Sequence, residues 1–129
     1  MREILFRGKL SYSGNWIHGG IVERDGRAYI VGVSNRLRID GVEVDPETVC
    51  QYTGMTDKNG VKIFEGDIVK EFNLCNEYEG KGAVHWGDLF TGWYISKNKM
   101  LFRLYKCEVI GNIFDNPELV EEGVSNETD

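Results

Sequence analysis

The residues most able to do chemistry in this chain are few and scattered. Two histidines, His18 and His85, and three cysteines, Cys50, Cys75 and Cys107, supply every imidazole and thiol. A Cys–His pair would make a nucleophile, yet no local nucleophile signature surrounds Cys75 or Cys107. No C-x-x-C or H-x-x-x-H spacing is present, so a zinc site is not expected. Glu65-Gly66-Asp67 sets carboxylates on either side of a glycine, and hard cations take carboxylates. Such a site needs further oxygen ligands that the sequence does not specify. A structural reading is simpler: Gly66 permits a tight bend, and Asp67 satisfies backbone donors at a strand entry. Asp57-Lys58-Asn59-Gly60 faintly resembles the start of a calcium loop. Val61 supplies no third ligand there, and Glu65 falls at the wrong spacing, so a turn explains the segment better. No serine lies in G-x-S-x-G, and Gly19-Gly20 lacks the lysine of a phosphate loop. An enzyme would have to gather Asp57, Glu65, Asp67 and Asp88 in one cleft. The expectation is a chain without catalytic, cofactor-binding or metal-ligating residues, and not an enzyme.

The aromatic residues offer a different chemistry. Trp86, Phe90, Trp93, Tyr94, Phe102 and Tyr105 fall close together in the sequence. Trp86 and Val84 share one strand face, which reads as core. The alternative is a stacking surface for single-stranded nucleic acid or a peptide, with Trp16, Trp86, Trp93 and Tyr94 as the candidate contacts.

The elements that would position these groups are mostly strands. Ile4, Phe6 and Leu10 alternate with Arg7 and Lys9, as in a half-buried strand. Ser11 to Asn15 reads as a turn. Trp16-Ile17 resumes apolar character before Gly19-Gly20. Asp25-Gly26 lies between the apolar runs Ile21–Arg24 and Arg27–Val31, a strong hairpin signal. The same device recurs at Asp40-Gly41 and Asn59-Gly60. Asp45-Pro46-Glu47 and Asn116-Pro117-Glu118 each place a capping residue before a proline, so short helical turns are expected near 45–49 and 117–122. Asn73 to Gly80 reads as a long loop. Strands are expected over Gly82–Trp86, Gly92–Ile95, Met100–Tyr105 and Glu108–Phe114. The fold class is mostly β, with antiparallel strands forming small barrel-like units. The expected organisation is an N-terminal β unit over 1–50, a C-terminal one over 51–122, and a disordered acidic tail over 123–129. The sequence leaves open whether the two β units pack as one domain.

A chain of 129 residues suits one domain or two very small ones. Its longest apolar runs are only a few residues, so no membrane partner is expected. Arg7 and Lys9 interrupt the opening segment, unlike a signal peptide. An odd, widely spaced set of cysteines fits a reducing cytoplasm. The net charge of −6 is unevenly placed. From Asp115 onward there are six acids and no base, while the first 38 residues hold seven bases and three acids. Opposed ends of this kind allow head-to-tail pairing of subunits or weak nucleic-acid contact by the basic end. Without the acidic tail the chain is neutral, with 15 acids against 15 bases, which argues against strong nucleic-acid affinity.

The run Gln51-Tyr52-Thr53-Gly54, then Asp57-Lys58-Asn59-Gly60, then Ile63-Phe64-Glu65-Gly66-Asp67-Ile68-Val69, resembles the signature of the YopX-like family. The opening Met1–Arg7 and the closing stretch Glu108–Leu119 are similar to that family's start and end. The resemblance implies a phage or prophage origin, a mostly β fold and an SH3-like barrel in the C-terminal part. It carries over no catalytic residues. The signature positions Gln51, Tyr52, Thr53, Gly54, Asp57, Asn59, Gly60, Glu65, Gly66 and Asp67 are read as structural. The functional expectation is a non-enzymatic accessory or interaction protein in the bacterial cytoplasm, partnered by another protein or by itself as a homo-oligomer. The alternative is a single-stranded nucleic-acid-binding module using the basic N-terminal strands and aromatic residues.

Overall fold

The structure is a computed structural model that describes residues 3–32, 41–88, 91–95, 99–100 and 106–120. The chain divides into two compact units, Met1–Tyr52 and Thr53–Asp129. Eleven strands are described: β1 (Phe6–Lys9), β2 (Trp16–Arg24), β3 (Arg27–Val31), β4 (Val42–Val44), β5 (Cys50–Thr56), β6 (Lys62–Phe64), β7 (Asp67–Phe72), β8 (Tyr78–Gly87), β9 (Gly92–Ile95), β10 (Lys99–Met100) and β11 (Cys107–Asn112). All the described pairings are antiparallel.

In the first unit the strand order is β4-β3-β2-β1-β5. Asp25 and Gly26 take positive φ of 55° and 77° and close the β2–β3 hairpin on the pair Arg24↔Arg27. Both angles are those of the tight turn that an Asp-Gly pair accepts most easily. Ala28, Ile30 and Val44 are fully buried, with Phe6, Leu10, Ile17, Ile21 and Val49 packed against them. Burying one such isoleucine contributes about 1.5–3 kcal/mol. The 3-10 turn Pro46–Thr48 follows its sequence signal, with Asp45 capping it by accepting from the Glu47 N–H at 3.0 Å.

β2 runs unbroken from Trp16 to Arg24 through Gly19-Gly20. Gly19 is needed for close approach, because a Cβ there would lie 2.2 Å from the Val31 carbonyl oxygen. One expectation needs correction: neither unit forms a closed barrel among the described residues. In the first unit, β4 returns toward β1 only through the isolated bridge Leu10↔Val44. The 3-10 turn then takes the next edge positions: Lys9 N–H donates to Thr48 Oγ1 at 2.9 Å, and Asp45 N–H to the Lys9 carbonyl at 2.8 Å. A side-chain cap therefore stands where a closing ladder would run.

The second unit holds the later residues of β5, then β6, and a five-stranded sheet in the order β10-β9-β8-β7-β11. Its buried core is Ile63, Val69, Val84, Ile95 and Cys107, flanked by Met55, Trp93 and Val109. The long loop expected over 73–80 is shorter, because β8 already begins at Tyr78. Asn73 makes that possible: its Oδ1 accepts from the N–H groups of Cys75 at 2.8 Å and Glu77 at 3.0 Å, compressing the reversal into five residues. Residues 117–120 are helical, as the Asn-Pro-Glu signal requires. The strand reading over 101–105, the Asp40 turn position, Phe90, Phe102, Tyr105 and the tail over 123–129 lie outside the described residues.

Candidate functional site

The signature residues hold the backbone together at turns. Asp57 is 5% exposed and lies just after β5. Its Oδ1 accepts from the N–H groups of Asn59 at 2.8 Å and Val61 at 2.9 Å. Its Oδ2 accepts from Val109 N–H in β11 at 2.9 Å. One carboxylate thus shapes the 57–61 turn and ties it to a strand 52 residues further on. The Gly60 N–H donates to the Asp57 carbonyl at 3.0 Å. Asp67, 2% exposed, accepts from Phe64 N–H at 2.8 Å through Oδ2. Between them Gly66, at φ 87°, donates its N–H to the Val84 carbonyl and accepts from Ile113 N–H, both at 2.9 Å. Thr53 Oγ1 donates to the Ile63 carbonyl at 2.8 Å and accepts from Met55 N–H at 3.1 Å, with Gly54 at φ 91° between. Gln51 pairs with Phe6, and the buried Tyr52 donates its N–H to the Leu5 carbonyl. Glu65 is half-buried and Asp88 exposed. Among the described residues, no three His, Cys, Asp or Glu side chains are grouped to hold a metal ion.

The thiols are placed quietly. Cys50 is buried, and its thiol donates to the Thr48 carbonyl at 3.2 Å. Burial pushes the Cys107 thiol up to about 11, helped by the nearby Asp57 carboxylate. At neutral pH it is therefore protonated and a poor nucleophile. Cys75 is exposed at the loop after β7.

The aromatic candidates separate into two arrangements. On the β8–β9 ribbon Trp86 stands opposite Trp93, with ring centroids 5.1 Å apart and edge to face. Trp93 packs against the core, while Trp86 is 43% exposed, so the pair forms the rim of the core. The neighbouring pair, His85 opposite Tyr94, points to the other face with centroids 5.4 Å apart. In the first unit the Trp16 ring already carries Arg7 at 4.6 Å and Lys9 at 5.6 Å.

A feature that sequence reading missed lies on the same face as His85 and Tyr94. Lys58 Nζ sits 4.1 Å over the Phe72 ring, and Lys70 Nζ 5.9 Å over Tyr78. Phe72 and Tyr78 meet edge to face at 6.2 Å. Period-two alternation in β7 signals that Lys70 and Phe72 share a face, but only the register with β8 reveals which rings and cations become neighbours.

His85 gives this face a pH dependence. Burial lowers its pKa below the ordinary 6.5, and the Glu65 carboxylate offsets part of that. The unfolded chain therefore holds more protons in the window just below 6.5, and stability falls as pH drops through it. Thermal unfolding followed by circular dichroism at about pH 7.5 and about pH 5 should show a lower midpoint at the acidic value. His85→Gln should shrink that drop. An equal drop in the variant would assign the loss to other groups.

Fold and site together define a small, antiparallel, mostly β protein whose buried acids hold its turns. The chain belongs to the YopX family: the family model described as YopX protein matches residues 10–121. The signature over 51–69 and the closing stretch fall inside that match. The opening Met1–Arg7 falls outside it. The fold is similar to that in the crystal structure of protein EF1440 from Enterococcus faecalis, with a TM-score of 0.54 and 21% identity. That likeness covers 93% of this chain and 99% of the other. No curated protein matches this chain. Among the described residues no helix is long and apolar enough to cross a membrane.

Proposed function

We propose that this protein acts by binding rather than by catalysis, as a phage- or prophage-encoded accessory protein in the cytoplasm of a bacterial host. The observation that supports this is the state of the signature acids. Asp57 and Asp67 are buried and already accept backbone N–H groups, so two of the four carboxylates an enzyme would need serve the fold. The order β11-β7-β8-β9-β10, a meander whose last strand returns beside its first, supports reading the second unit as an SH3-like sheet. The opposed charges of the chain ends support another protein, or a second copy, as partner. A second reading, single-stranded nucleic acid as the partner, is favoured by the lysines stacked over Phe72 and Tyr78.

The test is an assay panel of phosphoester, carboxylic ester, peptide and glycoside reporters, each with and without divalent cations. No turnover above the blank is expected. Turnover that disappears in folded Glu65→Gln or Asp88→Asn protein would overturn the binding reading.

A further inference from the structure

We propose that the Phe72–Tyr78 end of the five-stranded sheet, on the face opposite its core, binds single-stranded nucleic acid, with Lys58, Lys70 and Lys106 meeting phosphates and Tyr78 stacking under a base. This rests on the binding reading in its second form, with nucleic acid as the partner, and names the surface.

The face follows from strand alternation. Val69 points into the core, so alternation turns Lys70 and Phe72 to the opposite face, where Ile68 and Ala83 are buried and the surface opens toward Tyr78. The β7–β8 register sets Lys81 opposite Lys70 and Tyr78 opposite Phe72. The turn that Asp57 organises delivers Lys58 onto the same face, over the Phe72 ring. Lys106 Nζ donates to the Leu74 carbonyl at 3.0 Å and to Asn76 Oδ1 at 3.2 Å, which fixes a further cation beside the loop leading to Tyr78. Among the described residues, Lys58, Lys70 and Lys106 make no ion pair.

Two features point to an anionic, ring-bearing partner. Like charges directly opposite each other, as at Lys70↔Lys81, cost stability. Glu108 stands opposite Lys70 on its other side. Glu77 and Glu79 flank Tyr78 in the chain, and Glu77 Oε1 accepts from Asn73 Nδ2 at 2.8 Å. The balance is only weakly positive, so affinity should be modest and salt-sensitive. The second feature is Tyr78, 56% exposed, with Lys70 Nζ 5.9 Å over its ring. A half-exposed ring beside a cation suits an unstacked base with its phosphate. A duplex hides its bases from such a ring, and Asp or Glu side chains offer no aromatic face to it.

The test is fluorescence anisotropy with a labelled oligothymidylate of about 15 nucleotides, at about 20 mM and about 200 mM salt. Binding is expected at the lower salt and should weaken at the higher. Lys70→Glu and Tyr78→Ala should each weaken binding about tenfold. Lys62→Glu, an exposed position on β6 with the same charge change, should stay within about twofold. Circular dichroism would confirm that each variant is folded. No binding of DNA or RNA single strands, equal losses in Lys70→Glu and Lys62→Glu, or a preference for duplex would each overturn the proposal. None of those results bears on turnover, which alone decides the binding reading beneath it.

Discussion

Asp57→Asn should destabilise the second unit by about 3 kcal/mol, out of proportion to an isosteric change of one atom. The native carboxylate accepts three backbone N–H bonds, two through Oδ1 and one through Oδ2. An asparagine must turn its amide nitrogen toward one of those two sets of donors. Either Val109 N–H loses its acceptor, or both Asn59 and Val61 do. In each case donor faces donor in a buried position. Bonds to a charged acceptor contribute about 1.5–3 kcal/mol, and a stranded buried donor costs about 1–3 kcal/mol. The alternating argument, that removing a buried charge relieves its desolvation, fails because its partners are not removed with it. Urea unfolding followed by tryptophan fluorescence would report the loss as a lower midpoint with little change in slope. Amide exchange at Val109 should accelerate most, because that bond alone ties the turn's carboxylate to β11. Asp25→Asn is the control. It changes the same group in an exposed turn and should shift stability by less than about 0.5 kcal/mol. Similar small shifts in both variants would show that the Asp57 carboxylate is dispensable.

That residue also marks how far the sequence could be read. The turn at Asp57 is legible because Asp, Asn and Gly fall at turn spacing. The bond to Val109 is not, because it joins residues 52 apart and no local pattern encodes it. The same division holds elsewhere. Asp25-Gly26, Pro46 and Pro117 act through their own backbone preferences, and each produced the expected turn. Barrel closure depends on which edge meets which. Thr48 takes the Lys9 N–H that a closing strand would have used, and nothing in the spacing of Thr48 announces it. The candidate surface divides likewise. Sequence clustering singled out Trp16, Trp86, Trp93 and Tyr94, but Trp16 is covered by Arg7 and Lys9, and Trp93 joins the core. The lysine–aromatic face is assembled from four separate segments. Composition could not find it, because a chain with a net charge of −6 gives no hint of a locally basic face.

Gly19→Ala should destabilise the first unit strongly, while Gly20→Ala beside it should be close to neutral. Ordinary strand preferences predict gain at both, since replacing glycine in a strand reduces the freedom of the unfolded chain by about 0.5–1 kcal/mol. Space decides otherwise at Gly19. A Cβ there would lie 2.2 Å from the Val31 carbonyl oxygen and 2.9 Å from the Ile30 Cγ2. The first contact is to backbone, which cannot swing aside as a side chain can. Relief requires β3 to move from β2 near the pair Gly20↔Val31, and that movement disturbs Ile30, a fully buried member of the core. Overpacking of this kind costs about 1–3 kcal/mol or more, and it outweighs the entropic gain. At Gly20 the nearest atom is the Val31 Cγ2 at 3.2 Å, the end of a side chain that can shift by a few tenths of an ångström. The gain and the crowding there should nearly cancel. Chemical denaturation of the two alanine variants, with Trp16 fluorescence as the local probe, measures the difference directly. A separation of about 2 kcal/mol is expected. Equal effects would mean that β2 and β3 do not approach each other so closely at Gly19.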